Sequence, residues 1–209
     1  MQSVAQVIQK IRPLTSTYSN PLVEGPASEI EATLMWFYEK EVEQRSMTVD
    51  KAKAEKYVKQ AADFLTGQIR KRWLFLSGGV GTGKTTLLRA IRDLLIHYDV
   101  PNKMFAASGF PNLFLNNEEL TGDCILRGSW CNVLLLDDVG VEQVEIKEYG
   151  NIIQPFIKIV EERYNRLLPM IVSTNLSGRE MADRYGERTI DRIKEMSVAI
   201  QYNGKSFRV

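Results

Sequence analysis

Apolar positions recur at helical spacing up to about residue 70, whereas from Trp73 onward short apolar runs alternate with amphipathic segments. The stretch "SEIEATLMWFYEKEVEQR" opens on Ser28 with Glu31 three residues later, which predicts a capping box at the start of a first helix. Leu34, Phe37, Tyr38 and Glu41 then fall on neighbouring turns and form one stripe. A second helix is predicted in "TVDKAKAEKYVKQAADFLTG", with Ala54, Tyr57, Val58, Ala61, Phe64 and Leu65 on one face and Gly67 as its stop. Both helices belong to an N-terminal extension, residues 1–70. Either they pack on the domain that follows, residues 71–209, or they dock a partner.

The second part reads as strand "WLFLS", a glycine loop, a helix to about His97, strand "KMFAAS", a short helix and loop, and strand "NVLLLDD". Next come a long amphipathic helix across "IKEYGNIIQPFIKIVEERYNRLL", strand "MIVSTN", a short helical region and a terminal hairpin. Asn203-Gly204, between "VAIQY" and "KSFRV", supplies the hairpin turn, since both residues accept positive φ. Apolar strands alternating with helices predict an α/β fold of three layers, αβα, around a mainly parallel five-stranded sheet. Because the chain closes on strands, no C-terminal helical lid is expected.

Charge narrows the partners without naming them. With 27 basic and 26 acidic residues in 209, the net charge is +1, and no overall field draws the protein to nucleic acid or an anionic membrane. DNA contact must come from a local patch, such as Arg70 to Arg72, or Arg127 with Trp130 in "LRGSW". No apolar run is long enough to span a bilayer and the N-terminus lacks a signal-peptide core, so a cytoplasmic protein without membrane contact is expected. Cys124 and Cys131 have no histidine or further cysteine nearby, which leaves ordinary thiols rather than a zinc site. His97, the only histidine, sits where a helix C-terminus would favour its charge and has no catalytic role.

The chemistry begins at "GGVGTGKTT", which fits the phosphate-loop pattern with Gly78, Gly83, Lys84 and Thr85 at the fixed positions. A strand precedes it and a helix follows, as the loop requires. Backbone amides of Gly78, Gly79, Val80, Gly81, Thr82, Gly83, Lys84, Thr85 and Thr86 are expected to surround the phosphates of ATP, with the Lys84 charge between them. Thr85 and Asp137 are the expected Mg²⁺ residues, Asp137 because it follows four apolar positions at the carboxyl end of a strand. Asp138, pointing differently, suits a carboxylate that orients or deprotonates the attacking water. Asn175, ending "MIVSTN", can sense the γ-phosphate, and Ser177 with Glu180 makes a plain helix cap.

In this order "GGVGTGKTTL", "LLLDDVG", "IVSTNLS", "YGERTIDRI" and "GKSFR" resemble the AAA+ ATPases of the DnaC/IstB type, which are helicase loaders and transposition helper ATPases. The resemblance spans residues 73–209. It implies a minimal AAA+ core that works as a homo-oligomer when ATP-bound, with each site between neighbouring copies. Arg192 matches the finger inserted into the adjacent copy's site, and Arg208 the sensor arginine that contacts nucleotide in its own copy. Arg184 and Arg188 match no role and read as helix-surface charges paired with Asp183, Glu187 or Asp191. The implied partners are single- or double-stranded DNA and a replicative helicase or a transposase. In two respects the chain departs from the family: Asp138 stands where Glu is commoner, and the cysteine-rich zinc module of some loaders is missing. A helicase loader is the leading reading, with a transposition helper, a P-loop small-molecule kinase or a non-hydrolysing nucleotide-binding scaffold as alternatives.

Overall fold

The computed structural model describes residues 21–45, 50–116, 125–126, 128, 132–148 and 150–203. Cys124, Arg127, Trp130, Cys131, Arg208 and the Gly204 half of the expected terminal hairpin lie outside them.

Two helices come first, α1 (Ala27–Gln44) and α2 (Lys51–Leu65). The first does not use the predicted capping box: it starts one residue before Ser28, after Pro26, whose carbonyl accepts from the Glu29 and Ile30 amides. Proline fixes φ in the range a helix entry needs, so the start is set by Pro26 rather than by the hydroxyl. Glu31 instead faces Lys59 of α2 at 3.8 Å, an exposed pair worth little. In α2 the Asp50 carboxylate accepts from the Lys53 amide at the N-cap, and the helix ends before Gly67 at φ +75°.

The remaining elements are β1 (Trp73–Gly78), α3 (Lys84–His97), β2 (Asn102–Ala106), α4 (Phe110–Asn116) and β3 (Val133–Val139). A small hairpin of β4 (Ile146–Glu148) and β5 (Asn151–Ile153) leads into α5 (Pro155–Asn165), β6 (Met170–Thr174), α6 (Gly178–Tyr185), α7 (Glu187–Met196) and β7 (Ser197–Tyr202). The hairpin corrects the single long helix expected from residue 146 onward. Gly150 turns the chain at φ +86°, Ile146 pairs with Ile153, and Pro155 occupies the first turn of the shortened helix. A proline there has no amide to lose, whereas deep inside a longer helix it would break the hydrogen-bond ladder.

All pairings in the five-stranded sheet are parallel, in the order β2-β3-β6-β1-β7. Side chains therefore alternate between two cores. Leu74, Leu76, Val133, Leu135 and Ile171 join α1, α2 and α3 on one face. Trp73, Phe75, Leu134, Leu136, Met170 and Val172 join α4, α5, α6 and α7 on the other. The N-terminal helices thus pack on the sheet's α3 face within one apolar cluster. No helix among the described residues is long and apolar enough to cross a membrane.

Arg163 of α5 is fully buried, and its guanidinium donates to the carbonyls of Ile125 (2.8 Å), Asn132 (2.7 Å) and Pro169 (2.8 Å). It holds together the segments that enter β3 and β6, the two strands that end at the site. Arg163→Met should cost about 3 kcal/mol or more by stranding buried carbonyls. In thermal unfolding that corresponds to a fall of roughly 6–12 °C; an unchanged midpoint would show that these carbonyls find other donors.

Candidate nucleotide site

In a parallel sheet the carboxyl ends of β1, β3 and β6 lie along one edge, and each delivers its polar residues there. At the end of β1, Gly78 has φ +142°, and a Cβ there would lie 2.8 Å from the Cβ of Tyr202 on β7. Only glycine allows the loop to leave this close against the neighbouring strand. Gly81 and Gly83 also take positive φ, +78° and +94°, which folds the loop back onto the start of α3.

Gly83 caps α3 without any side-chain hydrogen bond, so the first-turn amides are left for an anion. Lys84, 6% exposed, donates to the carbonyls of Gly78 (2.7 Å) and Gly79 (2.6 Å) and lies 3.4 Å from the Thr82 hydroxyl. Its ammonium is already drawn over the loop that would carry the phosphates.

The two adjacent aspartates are separated by a β-bulge. Leu136 pairs with Val172 and Val139 with Thr174, so Asp137 and Asp138 oppose Ser173 alone. Asp138 takes φ +60°, an uncommon conformation for a residue with a side chain, and is aimed away from its neighbour. Ser173 fills the gap in the ladder: its hydroxyl accepts from the Asp138 amide at 2.8 Å and donates to Asp137 Oδ1 at 2.6 Å. The Thr85 hydroxyl donates to the same Asp137 oxygen at 2.9 Å. On the other side, the Asn175 amide donates to Asp138 Oδ1 at 2.5 Å. Thr174 closes the arrangement by donating to the Val139 carbonyl at 2.6 Å.

The resulting pocket of about 310 Å³ is lined by loop residues Val80 to Thr86 together with Asp138, Val141, Ser173, Asn175 and Arg45. A larger cleft of about 660 Å³ between α3 and β2 shares only Asp137 with the site and lacks the loop. The smaller pocket is therefore the one that brings the loop, Asp138 and Asn175 together. Thr85 and Asp137 present hard oxygens within one hydrogen bond of each other, a donor set that fits a Mg²⁺ ion.

Sequence reasoning left out two members. Ser173 was visible only as part of a polar strand end, because its role depends on the bulge opposite. Arg45 comes from the end of α1, far from any motif, with its Nε 3.6 Å from Glu41. Arg192 is not in this pocket: its guanidinium donates to Glu161 Oε1 at 2.6 Å and lies over the Tyr164 ring. Nor does Arg184 make the expected helix-surface pairing; it donates to the Glu142 carbonyl and, at 3.2 Å, to the Tyr185 hydroxyl. Lys71 caps the end of α7 by donating to the Glu195 carbonyl at 2.6 Å. The Ser177 and Glu180 capping box forms as expected.

Similar architecture occurs in solved structures. DnaI is 26% identical over 66% of this chain and 73% of its own, with a TM-score of 0.50. The DnaC helicase loader is 23% identical over 63% and 78% of the two chains, also at 0.50. The fold is that of a DnaC-type AAA+ ATPase. AMPPCP-bound DnaA from Aquifex aeolicus shares the same AAA+ fold at 21% identity and a TM-score of 0.55, over 76% of this chain and 49% of its own. No family model and no curated protein matches the sequence. Within the AAA+ fold, the bulge and Ser173 are the features that set the two acids apart. Ser173→Ala leaves the Asp138 amide unmet and should cost about 1–3 kcal/mol. Denaturant unfolding reads the loss, and a midpoint equal to wild type would mean that the bulge holds itself.

Proposed function

We propose that the chain is an ATP-hydrolysing, DnaC-like helicase loader that acts as an oligomer on DNA. The observation that carries the hydrolytic part is the Asp138 carboxylate, presented at the pocket beside Asn175 and separated from Asp137 by the bulge. A carboxylate held there can accept the proton of an attacking water, and the Asn175 amide can hold both the carboxylate and a terminal phosphate oxygen in register. The loop amides and Lys84 bind and orient the phosphates. Thr85 and Asp137 would hold Mg²⁺, which when bound supplies positive charge to the phosphate oxygens.

In this reading Arg192 acts on a neighbouring copy. Its present partner, Glu161, has a side chain 42% exposed, while the Arg192 side chain is 15% exposed and also lies over the Tyr164 ring, so reaching a neighbour means giving up both contacts. Supplying an arginine to a γ-phosphate is worth about 10³–10⁵ in rate. Arg208 is assigned to the nucleotide of its own copy. Residues 1–70 form the extension that engages the helicase, and residues 71–209 the ATPase. Support for the replication role is the likeness to DnaI and the DnaC helicase loader.

Lys84→Ala should abolish nucleotide binding in a fluorescent-nucleotide titration; retained micromolar affinity would remove the basis of the site. Arg192→Ala should bind ATP normally yet lose turnover. Mixed with Asp138→Asn, it should regain part of the activity, because one copy supplies the finger and the other the carboxylate. No recovery at any mixing ratio would contradict a shared site.

A further inference from the structure

Glu142 is 3% exposed and has no part in the chemistry proposed so far. It follows directly on the turn Asp138-Val139-Gly140-Val141. The turn's own hydrogen bond, from the Val141 amide to the Asp138 carbonyl, is long at 3.4 Å. At that length it contributes little. By contrast, the Glu142 carboxylate accepts from the Gly140 amide at 2.7 Å through Oε2 and from the Tyr185 hydroxyl through Oε1. Arg184 reaches the Glu142 backbone carbonyl rather than its carboxylate. A second clamp acts on the same turn: Gly140, at φ +116°, packs so tightly on Leu176 that a Cβ would lie 2.7 Å from its side chain.

We propose that Glu142 is a positioning residue for hydrolysis: its buried carboxylate pins the Asp138 turn to the end of α6 and so fixes where the Asp138 carboxylate points. The chemistry requires an acid here. Two donors converge on the side chain, and only a carboxylate offers two acceptor oxygens; a glutamine would set its own NH₂ against one of them. A left-handed residue such as Asp138 costs of order 1–3 kcal/mol and persists only when its surroundings hold it. Ser173 grips that residue by its amide, and Glu142 grips the far side of the turn. Burial, followed by the hydrogen bond to Glu142, raises the Tyr185 phenol well above its ordinary pKa, so it stays protonated and keeps donating at neutral pH.

This inference rests on the hydrolytic reading of Asp138, so it needs one readout that does not depend on turnover. Glu142→Gln and Tyr185→Phe should each leave the ATP dissociation constant within a few-fold of wild type. Glu142→Gln should lower kcat by about 10- to 100-fold, the scale of a misplaced catalytic group. Hydrogen exchange over residues 138–141 should accelerate in both variants, and the double variant should be no worse than Glu142→Gln alone. Unchanged kcat and exchange in both variants would overturn the proposal. So would a parallel loss of ATP affinity, kcat and thermal midpoint, which is the mark of a merely structural residue. Should Glu142→Gln fail to fold, Tyr185→Phe carries the same comparison. If the wild-type protein binds ATP without turning it over, the hydrolytic reading fails, and slow exchange in both variants alone then overturns the pin.

Discussion

One hydroxyl organises the candidate site. Ser173 accepts a hydrogen bond from the Asp138 amide and donates one to Asp137, and Thr85 donates a second to the same Asp137 oxygen. Strands β3 and β6 and helix α3 therefore meet at a single carboxylate oxygen. Without the bulge that Ser173 fills, Asp137 and Asp138 would alternate across the sheet as consecutive strand residues do, and the second acid would face a helix layer. The bulge instead turns Asp138 out to the pocket that the phosphate loop encloses. The parallel sheet has its consequence here, because only parallel neighbours bring the loop, the acids and Asn175 to one edge.

What could be read from the sequence follows from the range of the forces involved. The phosphate loop, the apolar strand before Asp137 and the polar end of β6 are local patterns, each set by the residues themselves, and all lie where they were expected. The alternation within "WLFLS" gives both cores, since Trp73 and Phe75 face one layer and Leu74 and Leu76 the other. Helix boundaries near proline and glycine were harder. Amphipathic spacing continues through residues 146–168, but Gly150 and Pro155 cut it into a hairpin and a shorter helix. Both residues were visible, and their effect on backbone geometry outweighed the periodicity. Likewise, Pro26 overrode the hydroxyl of Ser28 at the start of α1.

Contacts between distant segments could not be read in advance. Ser173 matters through a register shift between two strands, Glu142 through α6, and Arg45 through the packing of α1 beside the loop. Each is an ordinary polar residue in its own neighbourhood. The arginines of "DRYGERTIDRI" show the same limit: Arg184 is drawn to the turn after Asp138, Arg192 to Glu161, and Arg188 is exposed on α7. The motif singles out Arg192 alone, and only the folded chain shows where each of the three lies.

In the proposed function a second copy completes the ATP-hydrolysing site by bringing its Arg192 to a pocket whose one arginine among the described residues is Arg45. The measurement that tests this most directly is Mg²⁺-dependent ATP turnover per chain across a wide dilution series. A shared site predicts a rate per chain that rises steeply as copies associate and nearly vanishes when they are dilute. A rate per chain that is independent of concentration, or no turnover at any concentration, would contradict it.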